Sequence, residues 1–140
     1  MDQKVEYAYY GSLIMVALLA IQFLLGIYIN LYVVFPPVFL NSFRMGFRMM
    51  AYIPVMVHMA VAFLILFGSF IMIFISMGIN NKNLIIASGL SFVFVLIAGL
   101  SGFLFLFNEN NIYSFLMAFS FIIIFLLQFM YIYELSKIKS

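Results

Sequence analysis

The chain contains no cysteine, a single histidine, His58, and only three prolines, and just 7% of its 140 residues are charged. Each shortage excludes something. Without cysteine there are no structural disulfides, iron–sulfur clusters, thiolate zinc sites or covalent haem attachment through C-x-x-C-H. With 69% hydrophobic residues, against roughly half apolar and a quarter charged in soluble domains, water is the wrong solvent for this chain. Six basic and four acidic residues leave a net charge of +2, lying at helix ends and in loops, which gives no footing for a nucleic-acid partner. No Asp or Glu lies inside an apolar run, so the intramembrane acids of ion-coupled transporters and channels are absent. No nucleophile, base and acid set exists for a hydrolase.

What remains is apolar sequence in long runs. A helix crosses the hydrocarbon core with about 20 residues, and runs 8–35, 51–77, 84–107 and 112–133 qualify. The apolar opening is too long for a signal-peptide h-region and lacks a small-x-small cleavage site, so it reads as a retained first helix. Short connections make neighbouring helices antiparallel, which predicts one all-α domain over 1–140, an integral membrane four-helix antiparallel bundle. A β-barrel would alternate apolar and polar residues along short strands, and these runs do not.

Four spans put both termini and the 78–83 loop on one side, with Lys4, Lys82, Lys137 and Lys139, against Arg44 and Arg48 on the other. The basic excess predicts cytoplasmic termini, in a prokaryotic plasma membrane. Tyr7, Tyr9, Tyr10, Tyr131 and Tyr133 fall at the inner ends of the runs and Tyr28, Tyr32, Tyr52 and Tyr113 toward the outer ends, as interfacial aromatic belts require.

Inside the spans, His58 is the residue with the most chemistry. An intramembrane imidazole is costly to keep and points at protein or cavity, not at lipid. Ala62, Ile65 and Ser69 continue its stripe, smaller and more polar than the Phe- and Leu-rich opposite side, so it is expected to face inward. On the first helix Gln22, Gly26 and Asn30 share one stripe that is expected to face protein, because amides are poorly satisfied by lipid and glycine admits a close neighbour. Ahead of His58, segment 38–50 reads as a short interfacial outer helix. Its Arg44 and Arg48 either snorkel to lipid phosphates or clamp the edge of an anionic ligand.

The helical rise places His58, Asn30, Gly102 and Met117, on the second, first, third and fourth helices, at roughly 7 to 10 Å inside the outer boundary. A nitrogen donor, a thioether and a glycine notch at one depth meet what a flat macrocycle needs: an axial imidazole, an optional axial sulfur, and room for the ring. That makes His58 and Met117 the candidate metal ligands, with Asn30, Gly102, Arg44 and Arg48 around them. The plain alternative is that Met117, one of 11 methionines, is packing filler. His58 would then simply hydrogen-bond Asn30, Ser114 or a backbone carbonyl.

At QFLLGIYIN, residues 22–30, and at VHMAVAFLI around His58, separated by a proline-broken loop, the chain resembles half of a haem A synthase-type protein. The resemblance covers roughly 22–62 and its motifs are loose. It implies that His58 holds a haem ligand position, that Gln22 and Gly26 match the upstream Gln-x-x-Leu-Gly-like segment, and that loop 36–50 is the interfacial outer loop. The family pairs histidines on two helices of a half, whereas Met117 stands here on the fourth; no acid precedes His58, and Met59 follows it where the family has Arg. Oxidation of a haem methyl group is therefore not expected.

Two functions follow as expectations. One is a b-type cytochrome-like protein that binds haem b for electron transfer or haem handling near a respiratory chain. The other is a cofactor-free, non-catalytic accessory or structural subunit of a larger respiratory or transport complex in the lipid bilayer, or a homo-oligomer.

Overall fold

The computed structural model describes residues 3–33, 53–108 and 110–139. The expected interfacial segment, with Arg44 and Arg48, lies outside them. Four helices make up the described chain: α1 (Gln3–Tyr32), α2 (Ile53–Ile79), α3 (Lys82–Asn108) and α4 (Asn111–Lys139). All four are long and apolar enough to cross a membrane, and no strand occurs among the described residues. The protein is an integral membrane protein built as a four-helix bundle.

Both α1 and α4 run past their expected ends, α1 starting at Gln3 and α4 continuing to Lys139. An apolar run marks what hydrocarbon can cover, whereas the helix continues through Gln, Lys and Glu, which are good helix formers. At 30 residues, α1 is about 45 Å long, so it projects beyond a hydrocarbon core of about 30 Å.

The helix ends carry their own polar partners. Pro54 is the second residue of α2, where its missing N–H costs nothing. Asn80 ends α2 in the left-handed region, φ 56°, with its N–H shared between the carbonyls of Ser76 and Met77 at 3.2 and 3.1 Å. Asn81 Oδ1 then accepts from the backbone N–H groups of Asn83 and Leu84 at 2.9 and 3.3 Å, which starts α3. Asn110 caps α4 likewise, its Oδ1 accepting from Ile112 N–H at 3.0 Å.

Helices α1 and α3 each pack on both α2 and α4, and the diagonal pairs barely touch. Stacked Phe23 and Phe121, 5.1 Å between ring centres, join α1 to α4, and Phe70 and Phe92, at 5.8 Å, join α2 to α3. Between α1 and α2 the seam is a reciprocal pair of knobs and holes. A Cβ on Gly11 would lie 2.9 Å from Met72 Sδ, and one on Gly68 would lie 2.6 Å from Met15 Sδ. Each glycine makes room for the sulfur of the facing helix, the close approach that substitutes for a hydrophobic driving force in lipid.

Cross-helix bonds gather the start of α1, the α2–α3 turn and the end of α4 at one end. Lys4 Nζ donates to Gly78 O at 3.2 Å, Asn83 Nδ2 donates to Glu134 Oε2 at 3.2 Å, and the hydroxyls of Ser76 and Tyr131 are 2.8 Å apart. Tyr131 corrects the aromatic-belt expectation. It is buried inside the bundle, because a phenol that finds a hydroxyl partner in the interior has no need of the interface.

The core is concentrated at that same end: Val5, Ala8, Met15 and Leu19 of α1 close on Ile65 and Met72, Leu84 and Ala87, and Ile124, Tyr131 and Leu135 of the other helices. Toward the opposite end burial thins out: Leu19, Ile65, Ser101 and Ser120 are still buried, and beyond them, over described residues 20–32, 53–64, 102–108 and 110–119, only Val55 is.

Candidate functional site

His58 faces into the bundle from the first turns of α2, on the stripe with the buried Ile65 and Ser69, while Phe63, Leu64 and Phe67 turn outward. The amphipathic stripe therefore orients the ring as expected. Its partner is Gln22 of α1: the amide Nε2 lies 3.0 Å from the imidazole Nε2. One turn along α1, a Cβ on Gly26 would stand 3.5 Å from His58 Cε1, so the glycine admits the edge of the ring. The stripe Gln22–Gly26 is thus the wall against which the imidazole lies.

Asn30, at the top of that stripe, is exposed. It is not the polar partner of His58. The Lys4–Gly78 and Gln22–His58 bonds set the register of α1 on α2, and at that register Asn30 lies about two turns beyond Gln22 along the helix. Met117 belongs to a different seam: a Cβ on Gly102 of α3 would lie 3.1 Å from its sulfur. This repeats the methionine-over-glycine packing between α1 and α2. The structure therefore pairs the expected site residues as His58 with Gln22 and Gly26, and Met117 with Gly102.

Among the described residues, four buried side-chain polar atoms have no hydrogen-bond partner: Gln22 Oε1, His58 Nδ1, Ser120 Oγ and Gln128 Oε1. The last two project from the inward stripe of α4, on either side of the buried Ile124. By contrast Ser12, Ser69, Ser76 and Ser88 each donate to a carbonyl of their own helix three or four residues earlier, the usual way a membrane helix satisfies a hydroxyl. Sequence reading missed the Gln22–His58 bond and the unpartnered Ser120. The signal for the first was present in part, since Gln22 and Gly26 share the stripe of α1 expected to face protein.

A haem would need an imidazole nitrogen with a free lone pair and space beside it. His58 meets the first condition with one nitrogen only, the other lying against Gln22. A second ligand in Met117 is not set up, because its sulfur fills the Gly102 notch. The residues fit at most a single axial ligand from His58, toward the less buried end of the described helices. Among the described residues no group of three or more His, Asp or Glu side chains is placed to hold a metal ion. No family model matches this chain, and neither a curated protein nor a solved structure does.

Proposed function

We propose that this protein is a non-catalytic accessory subunit of a larger respiratory or transport assembly in a prokaryotic plasma membrane, an antiparallel bundle with both termini in the cytoplasm. The observation that carries the reading is the unequal packing of the bundle. The core is closed from the terminal end past the middle of the bundle, while the last turns at the other end, over described residues 20–32, 53–64, 102–108 and 110–119, bury only Val55. Helices closely packed at one end leave more apolar surface exposed at the other, and a transmembrane helix of a partner is an apolar element that would cover it. The chain's own polar groups support this use, since His58 and Met117 serve as seam contacts with Gln22 and Gly102. Lys4, Lys82 and Lys137 at the terminal end support the cytoplasmic orientation.

The test uses the absence of native cysteine. Single cysteines at Leu25 and Val57, toward the less buried end, are expected to cross-link to a larger membrane protein in native membranes. Cysteines at Ser12 and Ser91, in the closed half, are expected to stay silent. Migration of the solubilised protein alone or as a homo-oligomer, with no cross-link from any position, overturns the reading.

A second reading is favoured by the unpartnered, buried Nδ1 of His58: haem b bound through this residue toward the less buried end, for electron transfer or haem handling. It predicts a Soret band in protein expressed with ample haem, lost in His58→Ala. Colourless wild-type protein ends it.

A further inference from the structure

We infer that the His58–Gln22 pair is a binding site for a hydroxyl group within the membrane. The 3.0 Å contact between the two side chains admits two proton arrangements. In one, the Gln22 amide N–H donates to His58 Nε2. The ring proton then sits on Nδ1, and the pair presents an Nδ1–H donor and the Oε1 acceptor. In the other, the amide is turned over and its oxygen accepts from Nε2–H. The pair then presents an Nδ1 lone pair and amide N–H donors. Either way a donor and an acceptor are left over, because two groups that each carry both kinds of atom have joined through only one of each.

Both leftover atoms, His58 Nδ1 and Gln22 Oε1, are buried without a partner among the described residues. Leaving a buried polar atom unmatched costs about 1 to 3 kcal/mol, and in hydrocarbon no solvent relieves it. The two atoms lie on opposite sides of the contact, so each takes its own partner, and a hydroxyl, the smallest group that donates and accepts at once, matches His58 Nδ1 in either arrangement. A pure acceptor such as a ketone matches Nδ1 only when it carries the proton, and a pure donor such as an ammonium only when it does not. The pair also stands near the less buried end of the bundle, His58 and Gln22 themselves being only half-buried. Two sources supply the same chemistry, water entering from the outer surface and the ring hydroxyl of a lipid-soluble quinol entering from the bilayer. The inference does not depend on the accessory reading and competes with haem coordination for the same nitrogen.

The lone histidine makes the experiment clean, because imidazole 15N signals in the full chain belong to His58 alone. The full chain, reconstituted in liposomes with 15N-labelled histidine, is observed by solid-state NMR in two arms. In the first, magnetisation transfer from water protons to the ring nitrogens is measured. In the second, decyl-ubiquinol is titrated and the Nδ1 shift followed, with decyl-ubiquinone as the carbonyl-only control. Transfer from water without a quinol effect identifies water; a saturable shift with quinol and a weaker one with quinone identifies the lipid-soluble hydroxyl. Gln22→Leu is expected to reduce the responding signal severalfold, with unchanged helix content by circular dichroism as the check on folding. Silence in both arms, an undiminished response in Gln22→Leu, or ring nitrogens shifted by iron overturns the inference.

Discussion

At the end of the bundle where the chain termini meet, Lys4 reaches Gly78, Asn83 reaches Glu134, and Ser76 meets Tyr131, over a core in which Ala8, Leu84 and Ala87 are wholly enclosed. At the other end the cross-helix features are single contacts: His58 to Gln22, the ring edge over Gly26, and Met117 over Gly102. The same four helices build both ends, and their apolar character hardly changes along their length. The difference lies in residue size at the seams. Glycine, alanine and serine alternate with methionine and leucine at the terminal end, which brings the backbones close; the other end has fewer such notches. In lipid, where apolar contact alone does not drive helices together, that difference decides where a bundle closes.

The sharpest way to break the comparison is one substitution made in both halves of α1. Leu19 is 2% exposed, while Leu25, further along α1, is half-buried. Leu19→Ala is expected to cost about 2 to 5 kcal/mol through loss of contacts and a cavity, while Leu25→Ala costs about 1 kcal/mol, both read from reversible unfolding in mixed micelles. Equal losses would mean that the two ends are packed alike.

Filling a glycine comes next. Gly68→Val drives a branched side chain into Met15 and is expected to destabilise by about 1 to 3 kcal/mol. At Gly99, where an added Cβ meets nothing within 4 Å, valine is expected to change stability by less than about 0.5 kcal/mol in the isolated protein. Tyr131→Phe removes the hydroxyl bonded to Ser76, and a loss near 0.6 kcal/mol is expected, the usual size of an interhelical hydrogen bond in a membrane. The effect is small because Ser76 keeps its bond to the Met72 carbonyl, 2.6 Å away. Smallest of all is Lys137→Met, which removes an exposed ion pair with Glu134 one turn away; no measurable change in unfolding is expected, at low or high salt.

Much of the architecture was legible in the sequence because hydrocarbon imposes a simple demand on length and composition. The spans, the inward stripe of His58, Ile65 and Ser69, and the turn at Asn80–Asn81 all follow from residue type and spacing. Depth along the membrane was harder to read. Counting from presumed boundaries put Asn30 beside His58, whereas helix register, fixed by contacts at the far end, puts Gln22 there. Tyr131 misled for a related reason: its position in the chain suits an interface, but its direction around the helix takes it to Ser76. Whether Met117 would turn toward His58 or toward Gly102 depends on which helices share a seam, and composition carries no information on that.

The two residues between α2 and α3 also bear on what survives when the bundle loosens. Asn80 ends one helix and Asn81 begins the next using bonds found only within residues 76–84, so the reversal itself is built without side chains of α1 or α4. A bend that holds itself together keeps α2 and α3 adjacent as one hairpin even where their contacts with the other two helices are lost.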